Sequence, residues 1–372
     1  MRILYVSTLS LTVNSFFKSH IGMLREAGAE VDIACNCKEL ELDGFFAELG
    51  CRHHPVDFSR RPFSFDNLKA YKQLKSLMEK ERYDVVHCHT PNASVITRLV
   101  CRRLRKNTGL KVFYTAHGFH FHKGSPKLNW MLYYPVEKLC SRFTDKLITV
   151  NKEDYGLAKA KFKAKEVCYV PGVGVDVEGF EKLRVDRRSK RRELGVPEDA
   201  FLLLSVGELN KNKNHRLVIE AVARMGDPRL HYMIAGTGEN RDGLLALAKE
   251  LGVSDKVHLL GYRTDIAQLN HCADVFCFPS FREGLGIAAI EAMACALPLI
   301  TSDVHGINDY SIDGVTGYKF SPKSVDEFAE ALNKLRSADE KLMGRIREYN
   351  VSASKRYSVC EVLKEMKKIY KI

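Results

Sequence analysis

Phe278-Pro279-Ser280-Phe281-Arg282-Glu283-Gly284-Leu285-Gly286-Ile287-Ala288-Ala289-Ile290-Glu291-Ala292-Met293-Ala294-Cys295-Ala296-Leu297-Pro298 is the stretch whose reading decides the fold. Its apolar lead-in, residues 275–278, reads as a buried strand that stops at Pro279, which has no N–H to continue a ladder. A loop with two glycines follows. The alanine-rich run from Gly286 to Cys295 reads as a helix. Strand, glycine-rich loop and helix start, in that order, make an anion site from loop amides and a helix N-terminus. Glu283 stands in the loop and Glu291 eight residues later on the helix. Carboxylates accept hydrogen bonds from vicinal hydroxyls, so ribose or hexose diols suit both.

The same strand-then-helix grammar extends outward in both directions. Towards the C-terminus it predicts strands at 201–206, 231–235, 257–260 and 299–301, with helices at 216–225, 238–251, 266–272, 286–295 and 325–335. Towards the N-terminus it predicts strands at 3–6, 30–34, 85–87, 112–116 and 146–150. Helices are predicted between them at 20–27, 65–80, 94–104 and 134–140. Alternation of this kind predicts an α/β protein with parallel sheets covered on both faces. Two such series predict two Rossmann-like, doubly wound domains, with ligands at the carboxyl ends of the strands. Pro171-Gly172-Val173-Gly174 breaks the pattern, and the charge-rich segment 178–192 reads as a separator. The expected division is 1–170, 171–355, and a basic amphipathic helix at 356–372 that packs back on the first domain.

Composition agrees with two sizeable cores: 372 residues, 45% hydrophobic and 28% charged, without a long polar tract. No secretory leader and no apolar run of about 18 residues is read. The eleven cysteines are scattered, and Cys35-x-Cys37 and Cys272-x4-Cys277 lack zinc-site spacing, so the expectation is reduced thiols in the cytoplasm. Net charge is +12, and residues 1–170 hold 28 Lys and Arg against 17 Asp and Glu, which leaves the rest nearly neutral. The densest run is Arg98, Arg102, Arg103, Arg105, Lys106 and Lys111. It reads as a solvated helix face or as a contact with an anionic membrane surface. No aromatic residues interleave with it, which argues against nucleic acid.

At the opening stretch the chain resembles family 4 of the GT-B glycosyltransferases. Glu283 and Glu291 match that family's E-x7-E signature within P-S-x-x-E-G-x-G…E-A-M-A. Residues 206–215 resemble its strand–loop G-R-L…K-G, with Lys213 at the lysine that neutralises the donor diphosphate. Glu208 stands where arginine is common. Residues 234–239 resemble its G-x-G turn, and the missing third glycine excludes a dehydrogenase fingerprint. Residues 258–266 resemble the segment that holds the donor base. This nominates Gly261, Tyr262 and Arg263 around a uracil-like ring, with Asp265 as an alternative helix cap. Thr115-Ala116-His117 matches T-x-H, whose histidine reaches towards the transferred sugar. The elaborated form His117-Gly118-Phe119-His120-Phe121-His122-Lys123 is similar to a bacterial subgroup that builds surface polysaccharides. Residues 7–17, where members often carry paired glycines, have none. Their hydroxyls and amide, Asn14 and Ser15 above all, read as acceptor contacts or as a polar turn.

The resemblance implies a retaining transferase that takes a UDP-sugar or another nucleotide-sugar as donor and a lipid-linked or oligosaccharide acceptor. His117, Glu283 and Lys213 would be catalytic. Glu291 would hold the ribose, and the amides of Gly284, Leu285 and Gly286 the diphosphate. No cofactor and no metal is expected, and the chain has no Asp-x-Asp. A cytoplasmic enzyme, peripheral on the inner membrane, is implied. The rival on the same fold is a nucleotide-sugar epimerase or hydrolase.

Overall fold

Strand β1 (Arg2–Leu9) starts the chain, and every ladder that follows is parallel. The computed structural model describes residues 1–372. The first sheet has β1, β2 (Glu30–Asn36), β3 (Arg52–Pro55), β4 (Val85–His89), β5 (Lys111–Ala116), β6 (Lys146–Thr149) and β7 (Glu166–Tyr169), in the order β3-β2-β1-β4-β5-β6-β7. The second has β8 (Phe201–Val206), β9 (Leu230–Ala235), β10 (Val257–Gly261), β11 (Val275–Phe278), β12 (Leu299–Ser302) and β13 (Gly317–Phe320), in the order β10-β9-β8-β11-β12-β13. In each sheet the strand order reverses once, beside β1 and β4 and beside β8 and β11. Loops leaving the carboxyl ends of those strands diverge to opposite faces and leave a crevice there.

The inner strands form because helices cover both faces. β4 and β9 are buried at every residue, His87, His89 and His231 included, as expected of strands covered on both faces. Helix His215–Met225 puts Leu217, Val218, Ala221 and Val222 against Leu203, Tyr232 and Ile234 of the second sheet. In the first sheet, helix Pro91–Thr108 packs Ile96 and Val100 on one face. The opposite face takes helix Lys18–Glu26 and the last helix, Val359–Tyr370, through Val362, Met366 and Ile369. Tyr370 also hydrogen-bonds through its hydroxyl to His87 Nδ1.

The chain therefore forms two compact units, Met1–Val173 with Val359–Ile372, and Gly174–Ser358. Hydrogen bonds fix the division. His20 Nε2 meets the Val173 carbonyl at 2.9 Å within the first unit, whereas Val175 N donates to the Tyr357 carbonyl at 2.9 Å within the second.

Several expectations need correction. Residues 7–17 are not an open polar loop: β1 runs to Leu9, and Ser10–Phe16 is helical. The separator at 178–192 is largely helix, Val177–Lys182 and Arg187–Glu193, and Arg191 is buried with its guanidinium on Asp274 at 2.7 Å. The helix expected at 238–251 starts only at Arg241, because the glycine turn precedes it. Arg98 does not belong to a surface patch. It is fully buried, pairs with Glu137 at 2.8 Å and lies 4.2 Å from the Tyr114 ring. A buried guanidinium survives only with such partners. Arg105 is likewise engaged, on Asp145, so the exposed part of the run shrinks to Arg102, Arg103, Lys106 and Lys111.

Candidate active site

Four loops at the carboxyl edge of the second sheet build one site, and their own main chains hold them together. Gly207 N donates to Ala235 O at 3.0 Å, Leu209 N to Thr237 O at 2.9 Å, and Gly236 N to Gly261 O at 2.8 Å. This stitching needs glycine at position 236, where a Cβ would come within 1.9 Å of the Gly207 carbonyl oxygen. The loops after β8 and β11 are joined by asparagines. Asn212 Nδ2 donates to the Arg282 carbonyl at 2.9 Å, and Phe281 N donates back to the Asn212 carbonyl at 2.8 Å. Asn214, in a left-handed conformation at φ 56°, donates to the Pro279 and Pro322 carbonyls at 3.1 and 2.9 Å. Sequence reading missed both asparagines; their signal was their position at a strand's carboxyl end, where polar side chains have no core to fill.

This frame brings Lys213 and Glu283 together. Lys213 Nζ lies 2.6 Å from Glu283 Oε1 and 4.9 Å from the centre of the Phe278 ring. Asn210 Oδ1 accepts from the Lys213 amide at 3.0 Å, fixing the turn that aims it. Glu208 does not compete for the site. It is exposed and accepts from Asn210 Nδ2 at 2.9 Å.

Gly286, at φ 87°, precedes helix Ile287–Ala294. A side chain there would strike the Phe278 ring at 2.3 Å and the Tyr310 hydroxyl at 3.0 Å. The helix has neither a capping side chain nor an acid in its first turn. No side chain of the protein thus competes with an anion at the amino end of this helix. Glu291 sits one turn further on. Partial burial raises its carboxyl to about 7, and no side chain of the protein pairs with that carboxyl. Carboxyls withdrawn from water are normally partnered, so this one points to a ligand.

Gly261, Tyr262 and Arg263 divide. Gly261 O is tied to Gly236 and Tyr262 is 79% exposed. Arg263 turns onto Asp265, Nε to Oδ1 at 2.8 Å and Nη2 to Oδ2 at 2.6 Å. Asp265 does not cap the following helix with its side chain; it pairs with Arg263 and with Lys190 at 2.7 Å, and these cations hold its carboxyl below the usual range. The guanidinium expected beside a base is thus committed to a carboxylate, and Tyr262 is the free ring of the pair.

In the first unit, His117 follows β5. Its Nε2 lies 3.1 Å from Nδ1 of His89, at the end of β4. His89 is buried between Phe17 and Tyr5, with ring centres 4.3 and 4.8 Å away. Burial, then repulsion from His20, lowers His117 to about 4, so its imidazole is neutral at physiological pH. His89 escaped the sequence reading, which ended that strand at His87. Asn14 does not offer its amide to a ligand: Nδ2 donates to the Glu41 carbonyl and Oδ1 accepts from Asp43 N, both at 3.0 Å. Its amide braces the loop after β2. Ser15 is exposed on the same helix. His120 stacks on Tyr133 at 4.7 Å, and His122 Nδ1 meets the Lys123 carbonyl at 2.9 Å, so they serve the loop.

Comparison with known proteins matches this architecture in both halves. Residues 186–352 fit the family model for glycosyl transferases group 1, and residues 2–151 that for glycosyl transferase 4-like proteins. EpsD of Bacillus subtilis, assigned as a glycosyltransferase, is 36% identical over 99% of this chain and 96% of its own length. The Escherichia coli UDP-Gal:alpha-D-GlcNAc-diphosphoundecaprenol alpha-1,3-galactosyltransferase is 28% identical over 84% of this chain and 82% of its own. Among solved structures, Anabaena HepE in complex with UDP and glucose has a TM-score of 0.80 at 19% identity, covering 100% of this chain and 99% of that one; it speaks to the GT-B fold. Similarity that runs through both units, including the segments that carry Lys213, Glu283 and Glu291, makes this chain a member of the family 4 glycosyltransferases, a hexosyltransferase-type enzyme of glycan synthesis.

Proposed function

We propose that the enzyme moves a hexose or N-acetylhexosamine from a UDP-sugar to a lipid-linked acceptor, with retention at the anomeric carbon, in the assembly of a bacterial surface polysaccharide. The carrying observation is Glu291, a partly buried carboxyl without a side-chain partner, on the helix whose amino end can receive phosphate. A ribose diol supplies the two hydroxyl donors that this carboxylate lacks. The diphosphate then meets the Lys213 ammonium and the amides from Gly284 to Ile287, which stabilise leaving-group charge as it grows. Fixed positive groups do this work without a metal. Glu283 holds hydroxyls of the donor sugar. Neutral His117 serves as a hydrogen-bond partner of the transferred sugar, since an imidazole lowered to about 4 holds no spare proton at pH 7. The E. coli relative's name, with UDP-galactose and a diphosphoundecaprenol acceptor, supports the same pairing of substrates.

A panel of UDP- and GDP-sugars tests this reading, with nucleotide release measured with and without a lipid-linked acceptor. Acceptor-dependent release and an α-linked product from an α-linked donor are expected. Release from donor alone would favour the epimerase or hydrolase, and an inverted anomeric centre would remove retention.

The acceptor half rests on an apolar surface in the first unit. A pocket of about 270 Å³ is lined by Phe63, Ile96, Phe121, Leu132, Tyr133 and Val136 among others. At its rim Phe63 is 94% and Phe65 87% exposed. These rings are displayed by an ordered loop: Asn92 Nδ2 donates to the Ser59 and Arg60 carbonyls, and Asn67 Nδ2 to those of Arg61 and Pro62. Helix Lys127–Ser141 adds exposed Leu128, Met131, Leu132, Val136 and Leu139. Exposed phenylalanines beside Arg60 and Arg61 suit an anionic lipid surface that delivers the acceptor. Moving a phenylalanine out of water is worth about 1.5–3 kcal/mol. The double change Phe63→Ser, Phe65→Ser should therefore lower partition onto phosphatidylglycerol vesicles by roughly a hundredfold. It should also raise KM for the lipid-linked acceptor and leave KM for the donor unchanged. Flotation equal to that of the unaltered protein would refute the membrane reading.

A further inference from the structure

The outer edge of the first sheet carries a cluster that the transferase chemistry does not use. In the β2–β3 ladder Ile33 faces His53. Side chains two residues apart share a face, so Cys35 projects on the same side as His53. Cys37 follows where β2 has ended. Cys35 Sγ and Cys37 Sγ stand 3.6 Å apart, and His53 Nε2 lies 3.3 Å from Cys37 Sγ and 3.8 Å from Cys35 Sγ. Two bonded sulfurs would be about 2.05 Å apart, so these are separate thiols.

The triangle has the dimensions of a metal site. Zinc holds sulfur at about 2.3 Å and imidazole nitrogen at about 2.0–2.1 Å; tetrahedral angles then separate two sulfurs by about 3.8 Å and sulfur from nitrogen by about 3.6 Å. All three separations here lie within about 0.3 Å of those values. Cys-x-Cys spacing by itself does not suggest zinc. The third ligand comes from the neighbouring strand, 16 residues beyond Cys37, and only the ladder register brings it in.

We propose that Cys35, Cys37 and His53 form a binding site for one thiophilic divalent cation of the zinc type, with solvent at the fourth corner. Cys35 is buried, whereas Cys37 and His53 are partly exposed, so an ion has a way in and the fourth position faces water. Burial lowers His53, which keeps the ring neutral and its lone pair available. Burial, reinforced by Cys37, pushes the Cys35 thiol up. Loading is therefore an exchange: Zn²⁺ binds two thiolates and one neutral imidazole, and the two thiol protons leave to solvent.

The ion would act as a clamp. β3 is a four-residue edge strand, and the segment after β2 is otherwise held by side chains. Asn36 Nδ2 donates to the Phe58 carbonyl at 2.8 Å, and Asn14 grips Glu41 and Asp43 from helix Ser10–Phe16. A bond from β2 to β3 through the metal would add a second tie at the end that Asn36 holds.

Cobalt(II), titrated into the reduced, metal-stripped full chain, is the probe. One equivalent is expected to bind with a thiolate-to-cobalt charge-transfer band and the intense visible absorption of tetrahedral coordination, and zinc should displace it. Cys37→Ser should lose most of the charge-transfer intensity and weaken binding by about a hundredfold or more, and His53→Gln should keep the band but bind at least about tenfold more weakly. Cys360→Ser, which removes an exposed thiol, should leave the titration unchanged. No charge-transfer band in the unaltered chain, or an undiminished band in folded Cys37→Ser, overturns the proposal. Should Cys37→Ser fail to fold, unweakened cobalt binding by His53→Gln overturns it instead.

Discussion

Glu291→Gln is expected to abolish donor binding and at the same time to make the protein more stable at pH 8. Both effects follow from a carboxyl that burial raises from 4.5 to about 7 without any side-chain partner in the protein. The sign is fixed by which state gives up its proton first. As pH rises past 4.5 the unfolded chain ionises at this position, while the folded chain holds its proton until about 7. Stability is therefore lost between those two values. Above pH 7 the loss amounts to about 3 kcal/mol. Glutamine has the same shape and no charge, so the variant should melt several degrees higher than the parent at pH 8 and nearly equal to it at pH 5. Donor affinity has the opposite pH dependence, because the ionised carboxylate is the better acceptor for two ribose hydroxyls. It should strengthen about tenfold from pH 6 to pH 8 in the unaltered enzyme. Calorimetric melting and donor titration at three pH values read both. A variant no more stable than the parent at pH 8, or donor affinity independent of pH, would contradict the assignment.

Lys213→Ala should lower kcat by about a hundred- to a thousandfold, the range typical of losing one preorganised group that stabilises developing negative charge. The geometry makes the damage twofold. In the free protein the ammonium lies 2.6 Å from Glu283 Oε1, with both side chains largely shielded. Removing it takes a cation from the diphosphate and leaves an uncompensated carboxylate in the same place. KM for the donor should consequently rise as kcat falls. Lys213→Ala with Glu283→Gln should then bind donor better than Lys213→Ala alone, although both changes touch the site. Such non-additivity is expected of directly paired groups. Kinetics of the four members of the cycle measure it. A single Lys213→Ala variant within threefold of the parent would remove the lysine from the mechanism.

Much of the architecture is legible in the sequence because inner parallel strands advertise themselves. β8 and β11, enclosed by neighbours and helices, are read residue for residue from their apolar runs. The strands that escape are β3, β7 and β13, each four residues long and at a sheet edge. An edge strand has one open side and carries charge or proline to keep it from pairing further. Arg52-His53-His54-Pro55 obeys that rule and so resembles a loop. The site was legible to the same depth. Residues within one strand–loop–helix unit, Glu283, Gly286 and Glu291, declare themselves by local order. Contacts made by side chains across loops do not, so the stitching asparagines 212 and 214, the His89 partner of His117 and the internal commitments of Asn14 and Arg263 emerge only in three dimensions. Arg98 shows the converse failure: a charge counted on a basic surface is a core residue, because its partner Glu137 is 39 positions away.

The last helix has a consequence for how the molecule is made. Residues 174–358 are an insertion within the first unit, whose final piece is the twelve-residue helix Val359–Tyr370. Met366, Ile369 and Tyr370 close one face of a sheet whose first strand begins at Arg2. On the ribosome that face stays open until the helix Val359–Tyr370 has been synthesised, whereas the inserted unit has all its residues earlier. Translation order and domain order therefore diverge: the unit that begins first is completed last.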